Sequence, residues 1–143
     1  MLEKKDVKLR NTLTLAYLGD AVYETLVREY LLNNCCSLPA KLHHFTVSIV
    51  CASAQREALE LIEDMLTHEE AEIVKRGRNS SKAAVPRSST PKDYRASTAL
   101  EALFGYLSLT DEHDRINEIF KVICENQIGE YIKREQPDID SKQ

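Results

Sequence analysis

Apolar residues recur in this chain at intervals of three and four and almost never alternate. Runs of alternating Val, Ile or Thr are missing, as are the Asn-Gly and Asp-Gly pairs of tight hairpins. The pattern predicts an all-α fold. A chain of 143 residues can bury one core without disulfide or metal staples. Spacing puts a first helix from Asn11 or Thr12, either able to cap it, to about Leu32. A second follows Ser37 with Pro39 in its first turn, where the missing N–H costs nothing. Helical pattern continues, with a bend, through Leu66. Thr67-His68-Glu69-Glu70 matches a capping box and predicts a helix to about Arg76. Residues 77–91, with two prolines, four serines and a glycine, read as a loop. Helix resumes from about Tyr94 to Leu109, and a last one from Asp111 turns Ile116, Ile119, Phe120, Ile123 and Ile128 inward. These elements make one domain over residues 1–133, followed by a polar tail over 134–143.

The stretch Leu15-Ala16-Tyr17-Leu18-Gly19-Asp20-Ala21 is the first sign of chemistry. Its helix is apolar on nearly all sides, so Asp20 is expected to face inward or to line a cleft, with Glu24 one turn along the same stripe. Gly19 costs about 1 kcal/mol relative to alanine in a helix interior, which points to another backbone passing close by. Two readings of Asp20 stay open. A lysine or backbone N–H groups could satisfy it, or it could act as a metal ligand or general base beside a second carboxylate. Glu101 is the candidate for that second group. Ser97, Thr98, Phe104 and Gly105 surround it at helical offsets. Small residues there would leave room for a hydrated cation or a phosphate, and they suit equally a glutamate facing water.

Other residue types exclude other functions. Cys35 and Cys36 are adjacent, Cys51 and Cys124 stand alone, and His43 and His44 are neighbours, so no zinc or redox spacing exists. No apolar run approaches the roughly 18–20 residues of a bilayer span, and no secretory h-region follows the first residues. A cytoplasmic protein without membrane contact is expected. The net charge of −4 hides an asymmetry: Lys75, Arg76, Arg78, Lys82, Arg87, Lys92 and Arg95 fall in a segment whose one acid is Asp93, giving it +6.

Gly19-Asp20-Ala21 in a long helix, a basic loop, and then Thr98-Ala99-Leu100-Glu101-Ala102-Leu103-Phe104-Gly105 together resemble the catalytic domain of the ribonuclease III family. The compact Mini-ribonuclease III branch, which lacks the double-stranded-RNA-binding domain, is the most similar. The resemblance runs from about residue 10 to 130. Two departures stand out: the signature's first glutamate is Ala16 here, and the aspartate three before its last glutamate is Thr98. The usual four acids shrink to Asp20 and Glu101.

The resemblance implies a dimeric, all-helical endoribonuclease that hydrolyses double-stranded RNA to 5′-phosphate products with staggered ends. For the compact branch it implies maturation of large-subunit (23S) ribosomal RNA, with a ribosomal protein as a further partner. Asp20 and Glu101 would be the catalytic residues and the Mg²⁺ ligands, since a hard divalent ion suits oxygen donors and reverses the repulsion between carboxylates and phosphate. Lys75, Arg76, Arg78, Lys82, Arg87, Tyr94 and Arg95 would grip the RNA, with Gly77 and the serines keeping the loop adaptable. The first helix and the segment 47–54 are the expected dimer interface. Two other classes remain: a non-catalytic RNA-binding or ribosome-associated protein on the same scaffold, against which the retained acid pair argues, and a helical dimerisation adaptor, against which the +6 segment argues.

Overall fold

In a computed structural model, which describes residues 3–8, 10–35, 38–80 and 85–136, every regular element is helical. The order is α1 (Lys4–Lys8), α2 (Thr12–Asn34), α3 (Pro39–Val50), α4 (Ala52–Ile62), α5 (His68–Ser80), α6 (Pro91–Leu109), α7 (His113–Ile123) and α8 (Gly129–Glu135). A 3₁₀ turn, Glu63–Met65, follows α4, and a π segment, Cys124–Ile128, joins α7 to α8.

Local chemistry sets most of the boundaries. Asn11 caps α2 by accepting from the Leu13 N–H at 2.8 Å. Pro39 opens α3. The bend expected after it is a full break at Cys51, whose φ of −65° and ψ of 159° are extended. The capping box at α5 forms both of its bonds. The Glu70 N–H donates to Thr67 Oγ1 at 3.2 Å, and the Thr67 N–H donates to Glu70 Oε1 at 2.9 Å.

Three boundaries differ from the sequence reading. The short helix α1 has one buried residue, Val7, and is tied down from outside by Lys4–Glu112 and Lys8–Glu69 ion pairs at 2.7 and 3.3 Å. Helix α5 runs four residues past Arg76, because Gly77 serves as a helix contact: a Cβ there would lie 2.7 Å from Ala99 Cα on α6. Helix α6 starts at Pro91, with Thr90 Oγ1 accepting from the Asp93 N–H at 3.1 Å. The expected loop is therefore shorter, and Lys82 lies outside the described residues.

Helix α6 is the centre of the molecule, packed against α2, α4, α5 and α7. Its residues 96–100 and 102–107 are buried, and Glu101 alone among 96–107 is half-buried. Tyr23 of α2 meets the Phe104 and Phe120 rings edge-on at 5.1 and 5.9 Å. The predicted inner face of the last helix is inside: Ile119, Ile123 and Ile128 are each 0% exposed, and Ile116 and Phe120 are buried too.

Candidate active site

Two glycines decide how α2 and α6 cross. A Cβ on Gly19 would stand 1.6 Å from the Glu101 carbonyl oxygen, and one on Gly105 would stand 1.9 Å from the Leu15 carbonyl oxygen. The contact is reciprocal: each helix offers a missing side chain to the other's backbone. Asp20 follows the first glycine and Glu101 lies one turn before the second. The crossing therefore brings two acids, far apart in sequence, to hydrogen-bonding reach of each other.

Of the small residues around Glu101, Gly105 makes that crossing. Ser97, Thr98 and Phe104 are buried with Gly105. The Ser97 and Thr98 hydroxyls donate back to the Tyr94 carbonyl at 2.8 and 3.1 Å. Asp20 itself is exposed at the margin of the buried stripe, so of the two placements expected for it, inward or along a cleft, the inward one does not hold. Glu24 is held by Arg28 at 3.1 Å.

Electrostatically the pair is uncompensated. Among the ion pairs of the described residues, none involves Asp20 or Glu101. Burial, then the hydrogen bond and charge of Asp20, push the Glu101 carboxyl up to about 8, while the Gln55 amide acts the other way. Like charges this close share a proton or a cation. No group of three or more His, Cys, Asp or Glu able to hold a metal ion exists among the described residues, so the donor set at the crossing is two hard carboxylate groups. That set fits a divalent ion that keeps several waters, such as Mg²⁺. Sequence reading missed Gln55, a buried residue of α4 whose signal was a lone amide in an otherwise amphipathic turn.

Three residues of the basic segment gather in one cleft. Arg78 and Arg95, with Arg56 and Lys92, line a cleft of about 1000 Å³ between α4, α5 and the start of α6, and Glu60 and Glu63 lie among them. Arg78 pairs with Glu63, and Arg56 bridges to Asp93 at 3.1 Å. Lys75, Arg87 and Arg95 are exposed and Tyr94 is half-buried. Arg76 turns away from the cleft to donate to the Arg10 carbonyl at 3.4 Å. Neither acid lines this cleft.

Residues 13–112 match the Ribonuclease III domain family. The chain is 40% identical to the Mini-ribonuclease 3 of Clostridium tetani over 84% of its own length and 80% of the relative's. It is 42% identical to that of Symbiobacterium thermophilum over 79% and 87%. A solved structure of a Fusobacterium nucleatum protein superimposes with a TM-score of 0.76 at 31% identity, covering 85% of this chain and 98% of that one.

Proposed function

The chain belongs to the ribonuclease III family and is an endoribonuclease acting on double-stranded RNA, and from that premise we propose that Asp20 and Glu101 are its catalytic pair. The observation that carries this reading is the crossing itself. Two glycines press α2 onto α6, and the two carboxyl groups are left facing each other without a basic partner among the described residues.

Asp20 and Glu101 would hold Mg²⁺, which supplies polarisation of the phosphoryl oxygen and an acidified water at neutral pH. The chain's own residues do the rest. Asp20, exposed, faces the approaching backbone of the RNA; Glu101, half-buried and fixed on the central helix, holds its carboxyl group at a set position beside it. The backbone contact beneath them keeps both from separating when phosphate arrives. Hydrolysis at the P–O3′ bond would then leave a 5′-phosphate on the downstream fragment and a 3′-hydroxyl on the upstream one.

Lys75, Arg78, Arg87 and Arg95, with Tyr94 at the start of α6 and Lys82, form the proposed RNA-binding surface. Phosphate contacts of this kind recognise the shape and charge of the duplex. Arg76, engaged with Arg10, contributes at the margin. A single subunit offers one acid pair, so two cuts on opposite strands call for a homodimer. Leu13 and Tyr17 on α2, 43% and 84% exposed, and Val47 on α3, 51% exposed, are the apolar residues for that interface. The substrate assigned is a precursor of large-subunit (23S) ribosomal RNA in the cytoplasm, with a ribosomal protein as a guiding partner. No described helix is long and apolar enough to cross a membrane.

Long double-stranded RNA incubated with the protein, with and without Mg²⁺, tests the reading. Metal-dependent fragments bearing 5′-phosphates are expected, together with their loss in Asp20→Asn. A gel shift without cutting would make the protein a binder only.

A further inference from the structure

Gln55 is polar, 3% exposed and placed between the end of α3 and the central helix. Its Nε2 donates to the Val50 carbonyl at 2.9 Å. A carbonyl only accepts, so this bond fixes which way the amide points. A glutamine that merely capped α3 would need nothing more. Two observations exceed that role. The same side chain lies close enough to the Glu101 carboxyl to favour its charged form, and its Oε1 is buried without a partner among the described residues. Leaving such an oxygen unpaired forfeits its hydration without return, and a methionine would fill the same volume without that cost.

We propose that Gln55 is a positioning residue of the acid pair: its Nε2–H holds the Glu101 carboxylate toward Asp20, and its Oε1 accepts a hydrogen bond from a water of the divalent cation's shell. The inference rests on the reading of Asp20 and Glu101 as a cation site. Mg²⁺ retains several waters when bound by few protein donors, and those waters need acceptors. Ala16 and Thr98 provide no carboxylates here. An amide oxygen held rigidly beside the pair does part of their work as an outer-shell acceptor.

Manganese binding to the full chain, followed by electron paramagnetic resonance and competed with Mg²⁺, tests this without reference to cleavage. Gln55→Met is expected to weaken Mn²⁺ binding by about tenfold or more, in the range for outer-shell partners. Asp20→Asn is expected to abolish binding. Wild-type affinity in Gln55→Met, with binding lost in Asp20→Asn, would overturn the role of Gln55 alone. Wild-type affinity in Asp20→Asn would overturn the cation site beneath it. A measurement on the unaltered protein guards against misfolded variants: the Gln55 side-chain amide resonances should shift on adding Mg²⁺, and unmoved resonances would also overturn the role.

Discussion

Glu70 and Glu101 sit on neighbouring helices of one core and are treated in opposite ways. Glu70, 5% exposed, receives Arg115 Nε at 3.0 Å and Nη2 at 2.9 Å, and its Oε1 also accepts from the Thr67 N–H. Burial alone would raise its pKa. Arg115 and Thr67 outweigh burial and hold it below the ordinary carboxylate value. Glu101 has an acid and an amide where Glu70 has a guanidinium, and its pKa rises to about 8. A fold that pairs a buried glutamate with a guanidinium at α5 leaves a half-buried one at α6 without a basic partner among the described residues. Structure explains the first; the second makes sense as a place for a cation.

The sharpest way to break this comparison is to neutralise each glutamate's surroundings in turn. Glu101→Gln should cut the cleavage rate at least about a thousandfold, about 4 kcal/mol in barrier, while thermal stability at pH 8 stays level or rises. Single-turnover cleavage and circular dichroism melting read both effects, and cleavage within tenfold of wild type would equate the two sites. Arg115→Met should do the reverse. Stranding Glu70 costs about 3–5 kcal/mol of stability, seen in denaturant unfolding, with cleavage per folded molecule retained.

Gly105→Ala tests whether the crossing is what joins the acids. An added methyl 1.9 Å from the Leu15 carbonyl must push α2 away, at about 3 kcal/mol, the upper end of overpacking costs. Cleavage should fall even in the fraction that stays folded. Unimpaired cleavage would mean that the acids do not depend on the helix contact.

A smaller effect separates the glutamates by pH. In metal-free protein Glu101 keeps its proton up to about 8 when folded and loses it near 4.5 when unfolded. Between those values the folded state binds more protons, so stability falls as pH rises and levels off above 8. Glu70, with its pKa lowered, contributes stability present above its unfolded value and lost as pH falls below it. Melting temperatures across pH 4 to 9 should lose the upper slope in Glu101→Gln and, on adding Mg²⁺, in wild type as well. A persistent slope would point to some other group.

Local signals in the sequence were enough for the helix starts at Asn11 and Thr67, the Pro39 turn and the inner face of α7, because each depends on residues within one or two turns. Gly19 was legible for the same reason: a glycine inside a helix implies a close neighbour. Gly77 carried the identical signal but sat among serines and prolines, and so read as loop. The Thr90-Pro91 start of α6 was written in the chain as a cap followed by an N1 proline. Helix α1 was not legible, since ion pairs to Glu112 and Glu69 hold a segment with one buried residue, Val7. The proximity of Gln55 to Glu101, and the capture of Glu70 by Arg115, depend on packing between distant helices. Spacing along the chain marks Gln55 as a lone amide in its turn but shows neither contact.

The carboxyl carbon of Glu101, followed by ¹³C NMR through a pH titration with and without Mg²⁺, tests the central claim most directly. A midpoint near 8 in the metal-free protein, drawn down by several units when Mg²⁺ is added, is the result this account predicts. A midpoint near 4.5, or one that Mg²⁺ leaves where it was, would contradict it.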